Sequence, residues 1–155
     1  MGSDYIIREA ELKDVPSLLR CAKNFFKYAK YEDYGLPLDD VSFVEMVCGY
    51  IEADHSKCLV TEKDEKVVGA VCGIVTPWTF NKKILFAYEA FYWMEPEHRG
   101  KVSIKMLSEY EDWVQRYGAV NVMIQPETNL TEKVGKLYEK RGYKPLEHFW
   151  VKICP

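Results

Sequence analysis

Apolar residues recur at helical spacing near the start of the chain. Between positions 15 and 29 they return every third or fourth residue behind Asp14, which predicts an amphipathic helix with Asp14 as its N-cap. The segment Tyr5–Arg8, just before it, has the pattern of a short strand. A second amphipathic helix is predicted from its cap, Asp40, to about Ala53.

The middle of the chain has the patterns of strands. Segments 58–61 and 67–75 are rich in β-branched residues, and the polar run 62–66 separates them, which predicts two antiparallel strands joined by a turn. The segment 84–94 is almost continuously apolar and aromatic, as in a central strand covered on both faces. Only Glu89 interrupts it.

Two helices and two strands are predicted in the remainder. A helix with apolar residues at every third or fourth position follows Pro96 and ends at Gly118. A fifth strand is predicted at Val120–Ile124, a last helix at about Leu130–Arg141 and a final strand at His148–Ile153. The element order is therefore β-α-α-β-β-β-α-β-α-β, which indicates an α/β (α+β) protein with a single sheet.

Length and composition indicate one folded domain over residues 1–155. The chain has 155 residues, of which 48% are hydrophobic and 29% charged, and no linker or repeat divides it. It has no apolar run of the roughly 18 to 20 residues that a membrane span requires, and no basic-then-apolar leader. We therefore expect a cytosolic protein without membrane association.

The charge and the cysteine and histidine content argue against three further classes. A net charge of -3 argues against binding to nucleic acid, which needs a clustered surplus of Lys and Arg. The five cysteines are odd in number and include no C-x-x-C pair, and the three histidines form no metal-binding motif. We expect neither a disulfide framework nor a metal site.

The segment 92–103 contains a candidate anion site. A central strand ends there, and a helix begins after the basic loop Arg99-Gly100-Lys101. Unpaired N–H groups at a helix N-terminus, together with the helix dipole, can bind phosphate. Gly100 would let the backbone approach closely, and the two cations would add charge. The same sequence also occurs in ordinary solvated loops, so both interpretations remain open.

Glu89 and Tyr138 are the candidate proton-transfer groups. A carboxylate on an apolar strand costs several kcal/mol of desolvation unless it is paired or faces a wet cleft. Glu89 is therefore either a general base or half of a structural ion pair with Lys or Arg. Glu127, just after the fifth strand, is a weaker candidate base. Tyr138 falls on one face of the last helix, where a packed aromatic is the ordinary interpretation.

Two motifs together resemble the GNAT superfamily of acyl-CoA N-acyltransferases. Members carry V-x-P-x-x-R-G-x-G-x-G/A between a strand and a helix, and later a helix that ends L-Y-x-x-x-G-F/Y. Here 94–100 (Met-Glu-Pro-Glu-His-Arg-Gly) and 137–143 (Leu-Tyr-Glu-Lys-Arg-Gly-Tyr) match these patterns. The chain departs from the family at Val102-Ser103-Ile104, where two small residues are expected, and at Thr131, where an Asn is frequent.

The resemblance implies a mixed sheet splayed between the fourth and fifth strands, with acetyl-CoA in the gap as cosubstrate. Tyr138 would protonate the departing thiolate, Glu89 would serve as base, and Asn129 would help to hold pantetheine. The pyrophosphate would lie on the loop formed by Arg99, Gly100, Lys101, Val102 and Ser103, and pantetheine would pair with the backbone of Tyr92, Trp93 and Met94.

The sequence therefore predicts an N-acetyltransferase that moves an acetyl group to a primary amine in a ternary complex. The acceptor is a small molecule or a peptide that these residues do not identify, and family likeness suggests a homodimer. An alternative, motivated by the altered 102–104 stretch, is a non-catalytic acyl-CoA-binding or interaction module with the same fold.

Overall fold

The structure is a computed structural model that describes residues 4–154. It contains one sheet, four α-helices and short 3-10 turns at 12–14, 31–34 and 96–98. The strands and helices in chain order are β1 (Ile6–Glu9), α1 (Val15–Ala29), α2 (Asp40–Glu52), β2 (Ser56–Lys63), β3 (Lys66–Trp78), β4 (Asn81–Met94), α3 (Lys101–Arg116), β5 (Val120–Val122) and α4 (Thr131–Lys140).

The sheet has the strand order β1-β2-β3-β4-β5. The first four strands are antiparallel to their neighbours, and β5 runs parallel to β4. The predicted mixed fold is confirmed. Helix α3 connects β4 to β5, which are the only parallel pair within the described chain. Its N-terminus comes soon after the end of β4, following the 3-10 turn at 96–98.

Helices cover both faces of the sheet. On one face α1 and α2 pack through Leu18 and Val47 against β4 residues such as Phe91. On the other face α3 packs through Met106 and Tyr110. Both faces of β4 are therefore covered, which explains its nearly continuous apolar sequence.

Most predicted boundaries shift by one to three residues, and two of these shifts have clear local reasons. The N-cap of α2 is Asp39 rather than Asp40, because the Asp39 carboxylate accepts a hydrogen bond of 2.7 Å from the Ser42 amide. Strand β4 begins at Asn81, three residues before the apolar run, because these polar residues complete the hairpin with β3.

The strand predicted at His148–Ile153 is absent, so that prediction was wrong. The chain from Lys144 to Cys154 forms neither helix nor strand. Its apolar side chains lie in solvent, with Phe149 80% and Trp150 94% exposed. A strand needs a paired neighbour, and β5, at one edge of the sheet, is only three residues long.

No helix within residues 4–154 has the length and apolar content that a membrane crossing requires. All five cysteines carry free thiols. Cys58 and Cys72 are register partners in β2 and β3, and their sulfur atoms lie 2.6 Å apart in the core.

Candidate active site

The sheet opens into a fork between β4 and β5. Phe86–Tyr88 pair with Val120–Val122, and β4 continues from 89 to 94 with no partner on that side within the described residues. The register of β4 against β3 also shifts by one residue at Ala90, which is exposed in the middle of the strand. Such a bulge bends the strand and increases its local twist, which separates β4 from β5.

Alternate backbone groups of β4 face the gap. The Glu95 amide donates to the Val68 carbonyl of β3 at 2.9 Å. Because successive residues of a strand point their N–H and C=O groups to opposite edges, the Trp93 backbone also faces β3. The backbones of Tyr92 and Met94 face the gap. Of the three residues predicted to pair with pantetheine, Tyr92 offers its backbone groups and Met94 its amide, because the Met94 carbonyl accepts a hydrogen bond from Arg99 Nε.

The N-terminus of α3 lies at the open end of the fork. Gly100 has a φ of 140°, a conformation that side chains disfavour, and its amide donates to Ser103 Oγ at 3.4 Å. The first three amides of a helix have no acceptor inside it. Those of Lys101, Val102 and Ser103 also have none elsewhere within residues 4–154.

A cavity of about 360 Å³ adjoins this helix start. On a chain whose net charge is -3, it is a local concentration of basic groups. Its polar contacts include a hydrogen bond of 3.0 Å between Tyr5 Oη and His98 Nδ1. The residues that line it are Tyr5, Glu97, His98, Arg99, Lys101, Val102 and Lys105.

Arg99 is held by its own chain. Its Nε donates to the Met94 carbonyl at 3.0 Å, and its guanidinium lies against two adjoining aromatic rings, 5.0 Å from the centroid of Tyr28 and 4.8 Å from that of Trp93. These contacts tie the loop to the end of β4. The Arg99 charge therefore stacks on aromatic faces in addition to lining the basic cavity.

Glu89 lies where the two strands separate. Its side chain is buried, only 4% exposed for the whole residue, and its Oε2 accepts a hydrogen bond of 3.0 Å from the Ile124 amide. No Lys or Arg within residues 4–154 pairs with it, so the structural ion pair is absent. Burial raises the pKa of Glu89 to about 8, opposed by the Ile124 hydrogen bond.

Tyr138 on α4 faces the same region. It is half-buried, and its ring lies 5.2 Å from that of Tyr143. Burial raises its pKa above the ordinary value, and the Glu89 carboxylate makes the largest charge contribution. The end of α4 is tied to α3 by an ion pair in which Arg141 Nε donates to Glu111 Oε1 at 3.0 Å.

Asn129 lies on the β5 side of the gap and is joined to α1. The Tyr28 hydroxyl donates to Asn129 Oδ1 at 3.2 Å and lies 3.2 Å from Thr128 Oγ1. Thr131 Oγ1 accepts from the Thr128 amide at 2.8 Å, which fixes the turn before α4. Glu127 is exposed nearby.

Sequence reasoning did not assign three residues of this region to the donor site. Tyr28 and Tyr5 have aromatic side chains that the pattern assigns to packing, and Lys105 is one of many lysines on helix surfaces. Their roles depend on contacts between distant segments, such as the Tyr28–Asn129 hydrogen bond across 101 positions. No local spacing signals such a contact.

The chain was compared with known proteins. A protein-family model described as "Acetyltransferase (GNAT) family" matches residues 20–143. The search of curated proteins found no significant match.

Solved structures share the fold at low sequence identity. A Trypanosoma brucei acetyltransferase aligns with TM-score 0.72 and 17% identity over 97% of this chain and 100% of that one. A predicted acetyltransferase with acetyl-CoA from Clostridium acetobutylicum aligns with TM-score 0.71 and 16% identity, over 97% and 96%. A ribosomal-protein-alanine N-acetyltransferase from Brucella melitensis biovar Abortus 2308 aligns with TM-score 0.67 and 15% identity, over 98% and 100%.

Proposed function

The chain belongs to the acetyltransferase (GNAT) family, and from that premise we propose that it transfers an acetyl group from acetyl-CoA to a primary amine by direct attack in a ternary complex. The observation that carries the proposal is the fork between β4 and β5. It combines free amides at the start of α3, a free strand edge and a buried carboxyl group.

The residues of the fork fit the donor. A diphosphate requires N–H donors and positive charge, and the first-turn amides of α3 with Lys101 and Lys105 beside them supply both. An amide-bearing tether can pair with a free strand edge, which the Tyr92 backbone and the Met94 amide offer. When bound, acetyl-CoA would supply an acetyl thioester activated toward amines.

Glu89 suits the role of general base. A primary amine with a pKa near that of lysine, about 10.4, is mostly protonated at neutral pH and must lose a proton before it can attack. With a pKa of about 8, Glu89 is a stronger base than an ordinary carboxylate. It is also only partly ionised at neutral pH. Activity should therefore rise with pH through this range.

Tyr138 suits the role of proton donor to the leaving thiolate. Its raised pKa keeps it protonated at neutral pH. Backbone N–H groups on the free edge of β4 are suited to stabilise the oxygen that gains negative charge during attack. With Glu89 and Tyr138, the fork then holds the three functions that direct acyl transfer needs.

The acceptor class rests on the family. One structural neighbour is named as acting on a ribosomal-protein alanine, and others are named aminoglycoside acetyltransferases. We propose an amine on a small molecule or a peptide.

We further propose a cytosolic location and, by family likeness, a homodimer, which sedimentation velocity would test.

The direct test measures binding and turnover separately. Titration calorimetry with acetyl-CoA tests the donor site, and release of CoA thiol over a panel of polyamines, aminoglycosides and peptides tests transfer. We expect saturable binding and thiol release with at least one amine class. Binding without turnover over the whole panel supports a non-catalytic acyl-CoA-binding protein. No binding overturns the transferase and favours an interaction module with the same fold.

Replacing Tyr138 with Phe tests the proton donor. The Tyr138→Phe variant should lose about 100-fold or more in kcat, while its Kd for acetyl-CoA changes little because the hydroxyl acts on the leaving group. Tyr117→Phe is the matched control, since that hydroxyl donates to the Asp54 carbonyl away from the fork. Equal losses in binding and turnover would contradict the assignment.

A further inference from the structure

A buried tyrosine of α3 reaches into the sheet beside Glu89. Tyr110 is 0% exposed. A Cβ placed on Gly73 of β3 would lie 1.9 Å from the Tyr110 hydroxyl oxygen. The hydroxyl therefore occupies the space that a side chain at position 73 would fill.

Gly73 is the register partner of Glu89. Residues directly opposite in an antiparallel pair point to the same face, with Cβ atoms about 4.5 to 5.5 Å apart. The Tyr110 hydroxyl therefore lies on the face toward which Glu89 projects. The two groups make no direct hydrogen bond in the structure.

Two polar atoms on this face are buried and have no hydrogen-bond partner. They are the Tyr110 hydroxyl and Asn121 Oδ1. Asn121 is the register partner of Ala87, which packs in the same cluster as Tyr110 and lies two residues before Glu89. The Tyr110 hydroxyl, which lacks an acceptor, and Asn121 Oδ1, which lacks a donor, therefore lie on either side of Glu89.

The Glu89 carboxyl group can accept a further hydrogen bond. Its Oε2 accepts from the Ile124 amide, and no described residue donates to its other oxygen. Buried polar groups are rarely left unpaired, and buried waters typically make about three hydrogen bonds to such groups. Tyr110 can donate to a water, and the water can donate to Asn121 Oδ1 and to Glu89.

We propose that a buried water links Tyr110, Asn121 and Glu89, and that Tyr110 is thereby a positioning residue for the base. This inference rests on the role of Glu89 in the proposed function. The linked water donates to the carboxyl and favours its ionised form, which offsets part of the cost of burial. Tyr110 does not touch the reacting groups.

The groups around Glu89 do not complicate this assignment. The charge of Glu89 helps to raise the pKa of seven titratable residues. They lie on the 31–34 turn, α2, β3, β4, α3, α4 and the chain after α4. Because each pKa is raised, all seven are neutral at pH 8. Glu111 and Arg141, charged groups that act on Tyr92 and Tyr143, pair with each other. The seven are Tyr31, Tyr50, Cys72, Tyr92, Tyr110, Tyr138 and Tyr143.

The test is a direct titration of Glu89 in the purified protein. Carboxyl carbons of ¹³C-labelled glutamate are followed by NMR against pH, and the Glu89 signal is assigned by its loss in Glu89→Gln. In Tyr110→Phe the pKa of Glu89 should rise by about one unit, because the ionised form loses a donated hydrogen bond. Tyr117→Phe, at the C-cap of the same helix, should leave it unchanged.

An unchanged pKa in Tyr110→Phe, or an equal shift in Tyr117→Phe, overturns the inference. A second measurement does not depend on the variants folding: a crystal structure of the unmodified protein should show a water within hydrogen-bond distance of Tyr110 Oη and Glu89. Its absence also overturns the inference. Neither readout requires an acceptor, so a failure of thiol release with a shifted pKa rejects the enzymatic proposal alone.

Discussion

Glu89 is a residue at which stability and the proposed chemistry oppose each other. Its carboxyl is buried without a cation, and its pKa is about 8 against an ordinary 4.5. The folded protein therefore keeps a proton that the unfolded chain releases. Stability contributed by the protonated group is fully present below about pH 4.5 and is lost as pH rises toward 8.

Replacing Glu89 with Gln should remove this pH dependence. We expect Glu89→Gln to be more stable than the unmodified protein by roughly 4 kcal/mol at pH 8 and by much less near pH 5. Urea unfolding across that range measures the difference. Glu127→Gln, an exposed carboxylate, is the control and should follow the unmodified protein. A constant difference at all pH values would show that Glu89 does not titrate in this window.

Gly100 permits the backbone turn that exposes the amides of α3. With φ at 140°, an alanine there should cost about 1 to 3 kcal/mol, although its Cβ meets open space. Gly100→Ala should also weaken acetyl-CoA binding, because the amides would be displaced. Chemical unfolding and calorimetry measure the two effects.

Gly49 provides the matched glycine control. It lies within α2, a Cβ there also meets nothing within 4 Å, and its φ is not positive. Gly49→Ala should therefore stabilise the helix by about 0.5 to 1 kcal/mol. If both variants behaved alike, the strain at Gly100 would be refuted.

At the scale of elements, α3 connects the strand edge to the basic cavity. Lys101 and Lys105 lie one turn apart at its start, where the helix dipole also favours anions. Replacing both with Ala should weaken acetyl-CoA binding by about tenfold and reduce its dependence on salt. Lys23→Ala, an exposed lysine of α1 paired with Asp40, should bind normally. Calorimetry at two ionic strengths would distinguish these outcomes.

The sequence predicted elements with strong periodicity well. Helix α1 begins at Val15 and ends at Ala29, as the apolar spacing indicates, and the strand–loop–helix order around Arg99 is present. These features depend on neighbours within a few positions. The contacts of Arg99 with Tyr28 and Trp93 join three segments and leave no local signal.

The bulge at Ala90 shows a second limit of sequence reasoning. An almost unbroken apolar run predicts a regular strand, yet one residue has no partner in β3 and is exposed. Whether a residue pairs depends on the register of two strands, which the sequence of one strand does not define. The placement of Gly73 opposite Glu89 depends on the same register.

The molecule as a whole exposes an apolar segment after α4. The β-branched and aromatic residues at His148–Ile153 predicted a strand, but strand formation needs a long neighbouring edge, and β5 offers three residues. The side chains of Leu146, Phe149 and Trp150 are therefore exposed.

Fluorescence quenching tests this exposure. Among the four tryptophans, Trp93 and Trp113 are buried, whereas Trp150 is 94% exposed. Iodide should quench a substantial part of the emission, and Trp150→Phe should remove most of the quenchable part. Quenching that is unaffected by this substitution would mean that the segment is covered in solution.

The contact between Tyr28 and the 128–129 turn determines how ligands can reach the fork. Tyr28 belongs to α1 and the 128–129 turn lies on the β5 side, so these hydrogen bonds close the gap at that point. A long, flexible ligand must therefore enter from one end of the gap, or bind only after the Tyr28 hydrogen bonds have broken. Arrival and departure of such a molecule would then be slow steps even where its final fit is good.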